Sequence, residues 1–408
     1  LRRLAPLLLL VPCAARPAAD AVPNVNPRDL GMAQSLVAAQ DGAAAAHGNP
    51  AALSRLEGLD LSVAVSMLDN ATRWTTTTGL SPSPASSKFH PAPPPSIFAA
   101  WGGKLGSRGW GIGGGMTIPE GGNIIWPEGW AGREEIVKVD RKVFAFYLTG
   151  GIELIPQIRV GGGLVYYHTT EYLRQFYAAA NQFAHVDDSG GAATFDLAAE
   201  VAPFAGVPLT LAVDFKHKVV QNLKGKAVFE TSGVVVDPVT HAFTVPDKVE
   251  VGAAYRARPD LLFAFAWTRD RYHVYREDRF VDESGSPTPI PDVVVERNYG
   301  DANTFRGGVE VTLSPAWQVR AGLLRDLTGM KTRYFSPSLP DGDVWAGSAG
   351  ASYRWGKGFG AHAGVFYARY DLVDTTGKPP AFPGKWRSSA LIASLGVTWR
   401  PGAPAAAP

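Results

Sequence analysis

The sequence has almost no cysteine: Cys13 is the single one among 408 residues, which excludes a disulfide framework and a cysteine-built metal site. Long apolar runs are equally scarce. Leu4 to Ala15 follows Arg2 and Arg3 and precedes Ala19-Asp20-Ala21, so residues 1–21 read as a secretion signal with a small-residue cleavage site. Pro6, Pro12 and Pro17 would break a buried helix there, and Cys13 falls inside the signal. No later stretch approaches the ~20 apolar residues that a membrane-spanning helix needs. Charge of one sign is also missing. Removing Arg2, Arg3 and Arg16 from 39 basic residues and Asp20 from 37 acidic ones leaves 36 of each. A balanced surface excludes a nucleic-acid partner. The eight histidines show no HExxH, and no GxSxG or other spacing singles out a Ser–His pair. We therefore expect no catalytic residues, no metal and no cofactor.

What the chain does have is a two-residue alternation recurring from about residue 59 to 399, cut into short stretches by Gly, Pro, Asn and Asp. Around Thr304 to Leu313, Phe305, Val309, Val311 and Leu313 lie on one side. Thr304, Arg306, Glu310 and Thr312 lie on the other. That is a strand with one apolar and one polar face. About fourteen such segments, with charge repeatedly on the second face, fit a closed barrel in lipid better than a soluble sandwich. Short turns such as Ser314-Pro315-Ala316 and Gly356-Lys357-Gly358 alternate with long connections, as in outer-membrane barrels. Trp101, Trp267, Trp317, Trp345 and Trp399 near strand ends suit interfacial girdles. The fold class expected is all-β, a transmembrane antiparallel β-barrel in the bacterial outer membrane.

Two regions break the alternation. Residues 22–57 are rich in Gly and Ala, with a short helical possibility at Leu30 to Ala39, and suit a segment packed in a narrow space. Within residues 169–190, Tyr172, Leu173, Phe176, Tyr177, Ala180 and Phe183 recur at three and four, which predicts an amphipathic helix in a long loop. A second long loop, about 219 to 245, is apolar in places, with Phe243 near its end. If the apolar strand faces point outward, the lumen is lined by Asp60, Asp196, Glu200, Asp214, Lys216, Glu250, Arg256, Arg306, Glu310, Gln318, Arg320 and His362. These bear both signs, as a network bridging the interior would.

Three segments carry a family resemblance. One is Ala43 to Leu53, with Asn49-Pro50-Ala51; the second is Val245 to Tyr255; the third is Ser336 to Trp345 followed by Gly350 to Tyr353. In this order and spacing the chain resembles the FadL-type transporters of long-chain fatty acids and hydrocarbons in bacterial outer membranes. The resemblance covers nearly all of it after the signal. It implies a barrel of fourteen strands (residues 58–400) with an N-terminal hatch (22–57) inside the lumen, Asn49, Pro50 and Ala51 belonging to the hatch; the tail at 401–408 departs from it, since barrels of this class usually stop at an aromatic residue such as Trp399. It implies a lateral opening at a kinked third strand, where Gly111, Gly113, Gly114 and Gly115 would permit the bend. Gly109 to Gly114 also fits GxGxxG, but no helix follows to bind an anion.

By that resemblance the function is passive uptake of hydrophobic compounds, long-chain fatty acids first, by a monomer whose partners are the small-molecule ligand and outer-membrane lipid. Each buried methylene is worth about 0.8 kcal/mol, so an apolar groove at the loops can concentrate such cargo. Tyr172, Leu173, Phe176, Tyr177, Phe183 and Phe243 are the candidate capture residues. His168 and Arg306 are candidates for holding a carboxylate, and a neutral aromatic or alkane cargo would need no such cation. A barrel enzyme, an adhesin and a water-filled porin stay open as readings of the residues alone.

Overall fold

The computed structural model describes residues 26–286 and 292–401. The expected signal (1–21) and all but the first residue of the tail lie outside the described residues. Fourteen antiparallel strands close into a barrel. They are β1 Gly58–Thr75, β2 Pro95–Leu105, β3 Arg108–Ile125, β4 Lys138–Ile155, β5 Ile158–Tyr177, β6 Gln182–Val201 and β7 Leu209–Lys216. Then follow β8 Lys248–Arg258, β9 Leu261–Asp270, β10 Ala302–Thr312, β11 Trp317–Leu327, β12 Val344–Trp355, β13 Phe359–Tyr370 and β14 Lys385–Trp399. Closure is made by β14 against β1, in register from Leu61↔Trp399 to Thr75↔Lys385. With no free edge, every ladder finds its partners inside the barrel, which is what lets strands cross lipid.

The alternation sorts as expected. Val63, Val65, Ile97, Leu148, Leu164, Phe263, Leu323 and Leu395 all stand exposed on the outside. An apolar belt of that extent would aggregate in water and is satisfied by hydrocarbon. At the end with the tight turns, Trp317, Tyr353, Trp355, Phe359 and Trp399 stack in a continuous row. Such amphipathic rings mark a membrane interface. At the opposite end Trp74, Trp126, Trp130 and Trp386 are fully buried in a cap with Phe335 and Phe382. Among the described residues no helix is long and apolar enough to cross a membrane.

Residues 26–57 contact strands around the ring, so they lie within the cylinder. Pro27 and Leu30 meet β13 at Gly364, Gly31 meets β12 at Gly350, and Met32 with Ala33 meets β11 at Gly322. Val37 reaches Gly252 on β8, Ala46 and Leu53 reach Gly113 on β3, and Ala51 reaches Gly161 on β5. The helix expected at Leu30 to Ala39 is absent. A single turn, Pro27–Leu30, ends at Gly31, and Ala33 and Gln34 take positive φ of 52° and 59°. The barrel wall leaves no room for a longer cylinder, so wall packing overrides helix propensity.

The amphipathic helix expected within 169–190 is also absent: β5 and β6 run straight through it and turn at Ala178–Ala180. Tyr172, Leu173, Phe176, Tyr177 and Phe183 therefore fall on two faces of a strand pair rather than one stripe. The apolar loop at 219 to 245 is a hairpin of two strands, Val219–Phe229 and Val235–Val245, whose first arm pairs with the upper half of β6. Glu277–Asp282 pairs with Val239 to His241 and extends this layer.

Candidate functional site

Three features follow one another through the barrel. The outermost is a cavity of ≈110 Å³ among the loops. Its walls are Leu173 and Tyr177 from β5, Ala184 and Val186 from β6, Ala227, Phe229 and Val239 from the hairpin, and Phe280. They meet because odd-numbered residues of β5 face inward, Val165 and Tyr167 below and Leu173 and Tyr177 above. Tyr172, Phe176 and Phe183 occupy the other face. Tyr172 stacks on His185, and Phe176 packs edge-on against Phe183 under Arg133 and Arg174. Phe243 lies deeper, 3% exposed, in a core shared with Leu53, Val219 and Leu223. Of the six expected capture residues, the fold brings Leu173 and Tyr177 to this cavity.

Charged groups sit beside that cavity, and the two arginines among them are paired. Arg141 on β4 binds Glu171 on β5 and lies over the Phe243 ring. Arg297 donates to Asp278 at 2.8 Å. His241 of the hairpin points Nδ1 at Glu171 Oε1 (3.8 Å) and Asp188 Oδ2 (3.9 Å), with Nε2 3.4 Å from Asp278. None of these residues was singled out from sequence. The signal that would have found Glu171 was the strand parity of β5 continued past Tyr167, and His241 comes from a separate loop.

His168 and Arg306, the expected carboxylate holders, are not together. His168 is half-buried on the outward parity of β5, alongside Leu164 and Tyr166. Arg306 points into the bore, bound to Thr268 and 3.5 Å from Glu250. The other inward charges tie the inner segment to the wall. Glu310 accepts from Arg28 (2.9 Å) and Arg320 (2.6 Å), and Arg320 passes through Ser352 to His362 and Thr398. Asn49 Nδ2 donates to Val37 O (2.7 Å) and Glu200 Oε1 (2.9 Å), while its Oδ1 caps Ala51 N. Arg55 completes this cluster on Glu200. Arg256, expected in the lumen, is exposed at the end of β8.

The third feature is a break in the wall. The β2–β3 ladder ends at Ile97↔Met116. Just beyond, β3 slips against β4: Thr117 opposes Ala145, yet Glu120 opposes Val143, so three steps on one strand match two on the other. One extra residue makes a bulge and bends the strand. Prolines stand on both sides, Pro93 and Pro94 before β2, Pro95 as its first residue and Pro119 in β3, and none has an N–H to restore a ladder. The irregularity thus lies a few residues beyond Gly111, Gly113, Gly114 and Gly115, which sit in regular register with β2 and β4. Gly111 and Gly113 serve a different need: a Cβ at Gly111 would run into Leu53 of the inner segment, and one at Gly113 would crowd Ala46 and Leu53 together with Ala100 of β2. Phe98, paired with Gly115 at the edge of the break, packs against His47 and Tyr147 inside.

A closed barrel with a lipid-facing belt, a filled bore and apolar cavities at its outer end is an outer-membrane transport barrel. The family model described as outer membrane protein transport protein (OMPP1/FadL/TodX) matches residues 8–400, and the chain belongs to that family of outer-membrane transport channels for hydrophobic compounds. Among solved structures, a Pseudomonas aeruginosa FadL homologue superposes with a TM-score of 0.78 at 18% identity, covering 94% of this chain and 99% of the other. The P. putida toluene transporter TodX gives 0.67 at 15%, covering 92% and 98%. The Ralstonia pickettii toluene transporter TbuX gives 0.65 at 15%, covering 93% and 98%. None of the curated proteins compared with this chain matches it.

Proposed function

We propose that this protein is a passive channel, without enzymatic activity, that takes up neutral, compact hydrocarbons in preference to long-chain fatty acids. The observation that carries this reading is the commitment of the cations at the outer cavity: Arg141 to Glu171 and Arg297 to Asp278. Both cations are already neutralised, Arg297 keeping only its buried Nη1 without a hydrogen-bond partner, so a carboxylate entering there finds no unbalanced positive charge to offset its loss of water. A neutral ring needs no counter-charge. The cavity's ≈110 Å³ is on the scale of a single ring rather than a long acyl chain, benzene being held by an apolar cavity of about 150 Å³.

Cargo would enter among Leu173, Tyr177, Phe229 and Phe280, descend past Phe243, and leave sideways at the β3 bulge once residues 26–57, acting as a hatch, shift. Gradient-driven movement needs no energy source. We propose a monomer, with outer-membrane lipid against the belt and receiving the cargo. Binding of toluene and of oleate to the purified chain, with uptake by a deletion strain, tests the reading. Toluene should bind and its uptake should depend on the gene; oleate bound more tightly than toluene would overturn the choice of cargo. Leu173→Arg should abolish both activities if the cavity is the entry.

A further inference from the structure

Between the outer cavity and the inner core, three elements place Glu171, Asp188 and His241 so that one donor atom from each lies within 4.8 Å of the others. We propose that they form a binding site for a divalent transition cation, with zinc the best fit. All three side chains are fully buried. Glu171 Oε1, both Asp188 oxygens and both His241 nitrogens have no hydrogen-bond partner. Asp188, dry and without a hydrogen-bond partner beside Glu171, of which Arg141 holds only Oε2, is among the costliest arrangements a fold can hold. A shared cation removes that cost.

The distances suit the assignment. Two donors on one tetrahedral zinc, each about 2.1 Å away, stand about 3.4 Å apart. The Nδ1 separations of 3.8 Å and 3.9 Å exceed that by about half an ångström. With all three donors within 4.8 Å of one another, side-chain rotations that close the set by up to about 1.4 Å bring them around one ion. Behind His241, Asp278 faces Nε2 at 3.4 Å and is itself held by Arg297. A carboxylate on the far ring nitrogen orients a ligating imidazole and fixes its tautomer. Arg141 occupies only Oε2 of Glu171, leaving Oε1 free to bind. One nitrogen and two oxygens leave a fourth, water-filled position, the pattern of a zinc site with three protein ligands. Calcium and magnesium are poorly served, since they demand six or more oxygens. Bound metal would cross-link β5, β6 and the Val235–Val245 arm at the floor of the outer cavity.

The test uses the full chain in detergent, stripped with chelator and dialysed. Zn²⁺ should bind as a single ion per chain, and Co²⁺ in its place should give the intense visible absorption of a four-coordinate site. His241→Gln and Asp188→Asn should each abolish stoichiometric binding, and Asp278→Asn should weaken it about 10–100-fold. His217→Gln with His273→Gln, which removes the exposed histidine–aspartate pairs, should leave it intact. Sub-stoichiometric Zn²⁺ on the parent chain, a six-coordinate Co²⁺ spectrum, or unchanged binding in Asp188→Asn would overturn the proposal. The Co²⁺ spectrum of the parent protein decides the matter even if a variant fails to fold.

Discussion

Asn49→Ala should release the inner segment from the wall without opening the barrel. Asn49 is fully buried and makes three contacts: Val37 O, Glu200 Oε1 and the cap on Ala51 N. The bond to charged Glu200 is worth about 1.5–3 kcal/mol and that to Val37 about 1 kcal/mol. Losing the cap adds about 1 kcal/mol. Arg55 still holds Glu200 and is a third exposed, so water softens the loss at that end. We expect local opening of residues 26–57 to become easier by about 4 kcal/mol, which is about a thousandfold faster amide exchange there. The β1–β14 ladder shares none of these contacts and should keep its protection. Hydrogen exchange read by mass spectrometry, with peptides from 26–57 and from 385–399, measures both at once. Asn49→Asp is the companion: it keeps the cap but sets a second carboxylate against Glu200, so it should open the segment as well. Unchanged exchange in 26–57 for Asn49→Ala would refute the claim that this contact holds the segment. Equal loosening of both regions would refute the claim that segment and wall are separable.

Deleting Pro119 removes the extra residue of the β3 bulge and restores the ladder between Thr117 and Glu120. A folded barrel with hydrocarbon uptake lowered at least about tenfold is expected, and undiminished uptake argues against a lateral exit there. Gly111→Val puts side-chain atoms into Leu53 and should lower thermal stability by about 1–3 kcal/mol through overpacking. Trp130→Ala removes a fully buried ring stacked 4.5 Å from Trp126, and should cost about 3–5 kcal/mol in denaturant unfolding. Glu230 at the loop tip is held below the ordinary carboxyl value of 4.5 by its hydrogen bonds from Arg174. Its contribution is present above that value and is lost as pH falls through the lower folded-state value. Glu230→Gln should therefore destabilise the loops by less than about 1 kcal/mol at neutral pH and not at all in strong acid, measured by thermal melts at both.

Period-two patterning determined the wall. Leu59 to Trp399 alternates because one face meets hydrocarbon and the other a charged bore, and that constraint acts residue by residue along each strand, where a linear reading can see it. Clustering of small residues and Asn49-Pro50-Ala51 marked a segment for a tight space for the same local reason. The capture residues were harder. Tyr172, Phe176 and Phe183 looked like one helical stripe with Leu173 and Tyr177 because, above the lipid, both faces of β5 and β6 carry covered apolar side chains, one lining the cavity and the other lying under Lys138, Arg133 and Arg174. A pattern that marks one buried face then has two. Gly111 and Gly113 were visible as missing side chains, but only the path of Leu53 and Ala46 shows that they admit the inner segment rather than bend the strand. The meeting of Glu171, Asp188 and His241 was decided by tertiary structure alone. It depends on how a hairpin folds over a strand pair, and contacts between distant segments leave no period in the chain.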